Sequence, residues 1–331
     1  MWARFLLTRT GGLVIAGVIL VGIGLASEGV FALVGAVGVG LVILGILLRI
    51  DALEGVHHRH LARHDQRLAA IDERVERSRD RIDRLTGLHG SGHERDIDVA
   101  GLRELIEYWN PRLGTEATVG SFLSVSHRVR GFEAIAVGRI ATTIADVLIR
   151  CLVAEAASGD EVELCEVGTL FGIGGLVVLD HALARSRNAH LTVIDPLSGF
   201  YGKDALDPST ALPVTRSNLE RNVRLFGVGE QHLRIIEGLS TDDAVLTATS
   251  DREYDVMIYD GDHSYEGIRQ DHERYSGLVR TGGFLVIDDY GTDLWPDVTR
   301  YTDDVIASDE RFEFVGAGSR TAVYRRRLGS E

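Results

Sequence analysis

The pattern of apolar and polar positions divides the chain into three zones, of which the first is residues 1–50. It holds two uncharged apolar runs, Gly11–Ala26 and Val30–Leu48. A membrane-spanning helix needs about 20 apolar residues, so the pattern predicts a transmembrane helical hairpin. Arginines flank the pair on both sides, and such flanks stay in the cytoplasm. We therefore expect a multi-pass membrane protein whose large C-terminal part is cytoplasmic. The alternative for Met1–Ser27, a cleaved signal peptide, leaves that location unchanged.

The second zone, residues 51–98, is rich in charge and has apolar residues at alternating steps of three and four. These residues are Leu61, Leu68, Ile71, Val75, Ile82 and Leu85. Such spacing is typical of a heptad seam. It predicts a helical linker that forms a short coiled coil and, through it, a homodimer. The alternative is a single solvated helix that acts as a spacer.

The third zone, residues 99–331, alternates short apolar strands with helical patterns. The predicted strands are Glu161–Val167, Leu191–Ile194, Leu233–Ile236, Val256–Tyr259, Phe284–Ile287, Phe312–Val315 and Thr321–Tyr324. This alternation is typical of an α/β fold with a doubly wound, mostly parallel, Rossmann-like sheet, here of seven strands. The last two strands are joined by a short loop, Gly316–Ser319, which predicts a C-terminal antiparallel hairpin. We expect the helical lead-in, Leu102–Val129, to form a lid over the site.

Composition and charge exclude two classes of protein. The chain has a net charge of −14, and residues 99–331 carry that excess of acid. A nucleic-acid binder needs a basic surface for the phosphates, so we expect no nucleic-acid partner. The two cysteines, Cys151 and Cys165, lie in apolar stretches. They predict buried thiols and exclude a disulfide scaffold.

Polar residues follow the predicted strands, which is where open α/β sheets bind their ligands. After the first three strands these residues are Glu166, Gly168, Thr169 and Gly172, then Asp195, then Gly238 and Ser240. A glycine-rich turn lets a ligand approach the backbone. A carboxylate at the tip of the next strand can accept hydrogen bonds from both ribose hydroxyls. Together the turn and Asp195 predict a nucleoside cofactor.

Acidic residues follow the fourth and fifth strands. Asp260 ends one, and Asp288 and Asp289 end the other. Three carboxylates in one cleft repel each other unless a cation lies among them. Oxygen ligands without cysteine favour Mg²⁺ or Mn²⁺ over zinc. His263, three residues beyond Asp260, is a candidate general base.

The order of these motifs, over about residues 131–325, resembles the class I S-adenosylmethionine-dependent methyltransferases. More narrowly, it is similar to the metal-dependent sugar O-methyltransferases of the macrocin type. The resemblance implies that the cofactor is held by Glu166, Gly168, Thr169, Gly172, Asp195, Gly238, Ser240 and Asp260, with Asp195 at the ribose and Ser240 at the adenine. It further implies that Asp260, Asp288 and Asp289 bind Mg²⁺ or Mn²⁺ and that His263 takes the acceptor's proton.

Catechol-type relatives use an asparagine as third ligand and a lysine as base. Here the third ligand is Asp289 and the single lysine, Lys203, lies elsewhere, which favours sugar-type chemistry.

The resulting expectation is an S-adenosylmethionine- and Mg²⁺-dependent O-methyltransferase at the cytoplasmic membrane face. Its acceptor would be a hydroxyl of a sugar or similar diol, either a small molecule or a lipid-linked glycan. One alternative is an NAD-dependent oxidoreductase, against which the missing Gly-x-Gly-x-x-Gly argues. Another is a membrane-anchored scaffold with an inactive domain, against which the presence of all three acids and His263 argues.

Overall fold

The computed structural model describes residues 39–47, 97–157, 159–185, 188–200, 203 and 205–329. The chain divides into two compact units, Met1–Arg81 and Ile82–Glu331. Of the first unit, residues 39–47 are described, and they are helical. The predicted heptad segment lies outside the described residues, so the coiled coil and the homodimer stay predictions.

The predicted membrane hairpin needs correction. Among the residues described, none belongs to a helix with both the length and the apolar character that a membrane crossing requires. The prediction of a multi-pass membrane protein with a cytoplasmic catalytic domain is therefore wrong by this finding. The remainder of the two apolar runs, residues 11–26 and 30–38 with Leu48, lies outside the described residues.

The second unit is built on a seven-stranded sheet of order β3-β2-β1-β4-β5-β7-β6. The strands are β1 (Glu161–Val167), β2 (Asn188–Asp195), β3 (Leu233–Glu237), β4 (Tyr254–Tyr259), β5 (Val279–Ile287), β6 (Phe312–Gly318) and β7 (Thr321–Arg326). The first five strands are parallel to one another. Strand β7 pairs antiparallel with both β5 and β6. The predicted α/β sheet and its C-terminal hairpin are thus confirmed, although the hairpin turn is Ser319–Arg320 and not Gly316–Ser319.

Helices cover both faces of the sheet. They are α1 (Val99–Leu113), α2 (Val119–Ile135), α3 (Ile144–Ala156), α4 (Ile173–Ala184), α5 (Arg216–Phe226), α6 (Asp243–Thr249), α7 (Tyr265–Tyr275) and α8 (Pro296–Asp304). One core contains α1 to α5 with their side of the sheet. The other contains α7, α8 and the opposite side. Ten of the thirteen residues of α3 are buried, among them the charged residues Asp146 and Arg150.

The helices in the predicted lid segment pack into the first core. Trp109 on α1 and Phe122 and Val129 on α2 are almost completely buried there. These side chains face α3, α4 and the sheet, and none of them lines the cavity described below. The predicted lid role therefore gains no support from the described cavity.

Candidate functional site

The site lies where the strand order reverses, between the carboxyl ends of β1 and β4. Hydrogen bonds continue past the last paired residues: the Asp260 amide donates to the Val167 carbonyl at 2.8 Å, and the Gly168 amide donates to the Ile194 carbonyl at 2.8 Å. An added Cβ at Gly168 would lie 2.1 Å from the Asp260 carbonyl oxygen, and the φ of Gly168 is +80°. Gly168 is therefore required by the approach of two strand ends. Such a reversal point is the usual ligand crevice of an open α/β sheet.

A cavity of about 320 Å³ opens at these strand ends. Of the residues predicted for the cofactor, six line it: Gly168, Thr169, Asp195, Gly238, Ser240 and Asp260. His263 and Asp289 line the same cavity, as do Arg139 and Lys203. The volume is at the lower end of the range for ligand pockets. The cavity thus joins the predicted cofactor residues to the predicted acid–base residues.

Two predicted cofactor residues lie away from the cavity wall. Gly172 caps the start of α4, and an added Cβ there would lie 2.1 Å from a methyl group of Leu219 on α5. Its requirement for glycine thus comes from helix packing and from its φ of +79°. Glu166 is buried behind the glycine-rich turn, where it accepts a hydrogen bond from the Thr169 hydroxyl at 2.6 Å. Burial raises the pKa of Glu166 to about 7, even though the charge of Arg150 opposes this shift.

Asp195 organises the glycine-rich turn as well as lining the cavity. Its Oδ2 accepts hydrogen bonds from the amides of Thr169 at 2.9 Å and Leu170 at 3.2 Å, and its Oδ1 accepts one from Leu197 at 2.8 Å. Leu170 and Leu197 both have a positive φ, so these contacts hold two strained residues. A carboxylate offers about four acceptor sites. Three backbone amides donate to this carboxylate, and its predicted contact with the ribose hydroxyls stays a prediction.

The acidic residues after β4 and β5 meet, but a cation of the protein already lies among them. Arg150 on α3 contacts three carboxylates: its Nη2 lies 2.9 Å from Asp260 Oδ2 and 2.9 Å from Asp288 Oδ1, and its Nη1 lies 3.1 Å from Glu166 Oε1. Burial raises the pKa of Asp288 well above its usual range. Despite burial, Arg150 and His263 hold the pKa of Asp260 below its usual value. The repulsion that led us to predict a metal ion is thus relieved in part by Arg150.

Asp288 does not face the cavity with the other two aspartates. Its Oδ1 contacts Arg150 and accepts a hydrogen bond from the Thr142 hydroxyl at 3.2 Å. The group with metal-binding geometry is instead Asp260, His263 and Asp289, whose ligand atoms lie within 4.8 Å of one another. Two of the three predicted ligands are in this group, and the predicted base completes it.

His263 lies between two carboxylates in the loop from β4 to α7. Its Nε2 is 3.0 Å from Asp289 Oδ2 and 3.8 Å from Asp260 Oδ1. Burial disfavours the charged imidazolium, but the hydrogen bonds and charges of the two aspartates outweigh it and raise the pKa of His263 to about 10. Asp289 reaches this position because its φ is +56°, an unusual conformation for a residue other than glycine. Trp295 stacks on the imidazole, with ring centroids 4.5 Å apart and planes 19° apart.

The sequence reasoning missed Arg150 and a second buried charge on α3, Asp146. Asp146 Oδ1 accepts hydrogen bonds from the Arg320 amide at 2.8 Å and the Thr321 hydroxyl at 2.9 Å. The Arg320 guanidinium in turn lies 3.4 Å from Asp289 Oδ1. A signal was available, because Asp146 and Arg150 are four residues apart within the apolar run Ile144–Ala154. Two charges at that spacing lie on one face of a helix, and buried charges need partners.

Comparison with known proteins gives one family match and several distant relatives. Residues 165–290 match a family described as a methyltransferase domain. These residues run from within β1 to just past β5 and include Glu166, Asp195, Asp260, Asp288 and Asp289. The match and the fold together support a methyltransferase.

The chain is 27% identical over 167 residues to "Uncharacterized protein R132" of Acanthamoeba polyphaga mimivirus. The aligned region covers 47% of this chain and 68% of the relative. Among solved structures, the O-methyltransferase NovP has a TM-score of 0.43 and 17% identity, covering 70% of this chain and 100% of its own. CalS11, a TDP-rhamnose 3'-O-methyltransferase of calicheamicin biosynthesis, has a TM-score of 0.43 and 12% identity, covering 64% and 96%.

Proposed function

We propose that this protein is an S-adenosylmethionine-dependent O-methyltransferase that acts on a hydroxyl of a sugar or similar diol. One observation carries the proposal: a single cavity is lined both by Gly168, Asp195 and Ser240 and by the Asp260–His263–Asp289 group. A donor and an acceptor must share one cavity for direct transfer, because reacting atoms must approach to about 3–3.5 Å. The methyltransferase family match over the same residues supports the assignment.

The residues that would hold the cofactor follow from this arrangement. When bound, S-adenosylmethionine supplies an electrophilic methyl group on a sulfonium. Asp195 would accept a hydrogen bond from a ribose hydroxyl, and Ser240 would contact the adenine. Gly168, Thr169, Gly238 and Asp260 would form the remaining wall. Glu166 and Gly172 would support the turn from behind, since neither lines the cavity.

The acidic residues of the cavity suit a divalent cation. Asp260 and Asp289 offer two carboxylates, and the imidazole of His263 has a nitrogen within 4.8 Å of their oxygens. Asp289 Oδ1 is buried and has no hydrogen-bond partner among the described residues, although Arg320 lies near it. Carboxylate oxygens suit Mg²⁺ and Mn²⁺. The chemistry such an ion supplies is to lower the pKa of an acceptor hydroxyl.

His263 is the residue that would take the acceptor's proton. With a pKa of about 10 its imidazole is protonated near pH 7, and a protonated imidazole cannot act as a base. A bound cation beside Asp260 and Asp289 would offset the two carboxylates that raise this pKa. The base role therefore depends on positive charge bound in the same cavity. Trp295, which covers one face of His263, would keep water from the imidazole.

Isothermal titration calorimetry with S-adenosylhomocysteine tests the proposal without knowledge of the acceptor. We expect micromolar binding to the full-length protein, with NAD in parallel showing none. Transfer of labelled methyl groups to a panel of hexoses, sugar nucleotides and catechols, with Mg²⁺ or with EDTA, then identifies the acceptor class. Binding of NAD in place of S-adenosylhomocysteine would contradict the proposal, and cofactor binding without transfer to any diol would contradict its acceptor class.

A further inference from the structure

Arg150 is an almost completely buried charge of the site. Its side chain is 1% exposed, and it projects from α3, whose other buried positions are mostly apolar. A buried guanidinium is tolerated when its hydrogen-bonding groups have charged partners. Arg150 has three such partners, Glu166, Asp260 and Asp288, all within 3.1 Å.

These three carboxylates come from three neighbouring strands. Glu166 lies in β1, whereas Asp260 and Asp288 directly follow β4 and β5. The guanidinium is planar and presents its donors in a fixed fork. It therefore links the carboxyl ends of three strands in one geometry, which a point charge could not reproduce.

Arg150 contacts one oxygen of Asp260 and one of Glu166, and the second oxygen of each carboxylate faces a residue that lines the cavity. Asp260 presents Oδ2 to Arg150, and its Oδ1 is the atom nearest His263. Glu166 presents Oε1 to Arg150, and its Oε2 accepts the hydroxyl of Thr169, which lines the cavity. Arg150 thus lies behind both the cofactor side and the acid–base side of the cavity without lining it.

We propose that Arg150 is a positioning residue: it orients Glu166 and Asp260 through the fork geometry of its guanidinium, and cofactor affinity depends on that geometry and not on its charge alone. The inference rests on the proposed function for the identity of the cofactor. Arg150 itself does not line the cavity and acts on it only through these carboxylates, so the inference extends the site to helix α3.

Three variants of the full-length protein separate geometry from charge. Arg150→Lys keeps the positive charge but loses the fork, and we expect it to fold and to bind S-adenosylhomocysteine at least tenfold more weakly. Arg150→Met with Asp288→Asn removes one charge of each sign. We expect this double variant to recover most of the loss in melting temperature that Arg150→Met causes alone. We do not expect it to recover the affinity for S-adenosylhomocysteine. Arg128→Lys is the matched control, because Arg128 pairs with Asp180 on α4, away from the cavity.

Crystal structures of the wild type and of Arg150→Lys provide a readout that does not need the cofactor. We expect the carboxylates of Glu166 and Asp260 to rotate in the variant. The inference would be overturned if the two carboxylates did not move, or if Arg150→Lys bound S-adenosylhomocysteine within twofold of the wild type. Full recovery of this affinity in the double variant would also overturn it, since charge balance alone would then suffice. Failure of the wild type to bind S-adenosylhomocysteine would overturn the proposed function, whereas the crystal structures would still decide whether Arg150 orients the two carboxylates.

Discussion

At the scale of single residues, the protonation state of His263 decides what the site can do. Its pKa of about 10 lies above the ordinary value, so the neutral imidazole becomes more abundant as the pH rises towards 10. We expect methyl transfer at low Mg²⁺ to increase between pH 7 and pH 9. Saturating Mg²⁺ should shift this rise to lower pH, because a bound cation lowers the pKa of His263. Initial rates against pH at two Mg²⁺ concentrations measure the shift.

Replacement of His263 tests its role directly. We expect His263→Gln to lower the transfer rate by about 10²–10⁴, the usual contribution of a general base, and to remove the rise with pH. Affinity for S-adenosylhomocysteine should change little. His190→Gln, at the other end of the parallel strands, serves as the control. A His263→Gln enzyme with the wild-type pH profile would exclude His263 as the base.

Asp271 on α7 is a buried residue whose negative charge destabilises the fold. It is 2% exposed, and its Oδ1 has no hydrogen-bond partner among the described residues. Burial raises its pKa to about 6. Because the folded pKa is above the unfolded one, the carboxylate destabilises the fold above pH 6, and stability is regained as the pH falls from 6 towards 4. This shift corresponds to on the order of 3 kcal/mol.

We therefore expect Asp271→Asn to raise the melting temperature at pH 8 by a few degrees, with a gain that shrinks towards pH 5. Thermal unfolding at several pH values measures it. Asp251→Asn is the matched control: Arg252 lowers the pKa of that exposed aspartate, so its replacement should not stabilise the protein. An equal gain at pH 5 and pH 8 would show that charge is not the cause.

At the scale of elements, the approach of β1 to β4 depends on one glycine. Gly168 and Gly227 have similar positive φ values, +80° and +70°, but an added Cβ at Gly227 meets nothing within 4 Å. We expect Gly227→Ala to cost about 1–2 kcal/mol from backbone strain alone. Gly168→Ala adds overlap with the Asp260 carbonyl and should cost about 2–5 kcal/mol in all.

Urea unfolding of both glycine variants measures the difference, and calorimetry measures the loss of S-adenosylhomocysteine binding, which we expect for Gly168→Ala alone. If both variants were equally stable and both bound the ligand, the close approach of the two strand ends would not be essential.

The elements themselves were largely predictable. Strand β1 has its predicted bounds, and the other six strands contain the predicted segments. Short apolar runs bounded by turn residues are sufficient for this, because the central strands β1, β2, β4 and β5 are buried on both faces over most of their length. The ends were less predictable: β6 continues to Gly318, since hairpin pairing with β7 extends past the apolar residues. That extension places Arg320 in the turn, from which it reaches Asp289.

At the scale of the whole molecule, the chain divides at Arg81 and Ile82 into two units, and the site lies within the second. We expect a chain that begins at residue 97 to fold and to bind S-adenosylhomocysteine with the affinity of the full-length protein, because every described site residue and both cores lie beyond that point. Calorimetry and thermal unfolding of the two chains provide the comparison. A weaker affinity in the shorter chain would show that residues 1–96 contribute to the site.

The sequence by itself determined the α/β order of the second unit, its antiparallel end and the strand ends at which Asp195, Asp260, His263 and Asp289 lie, because strand periodicity and chain order are local properties. Only the tertiary structure decided which of these side chains meet. Asp288 and Asp289 are adjacent in sequence, yet the positive φ of Asp289 directs one to Arg150 and the other to His263. The cation among the carboxylates comes from α3, more than 100 residues before Asp260. No local pattern specifies such a contact, since it arises when the sheet and its helices pack together.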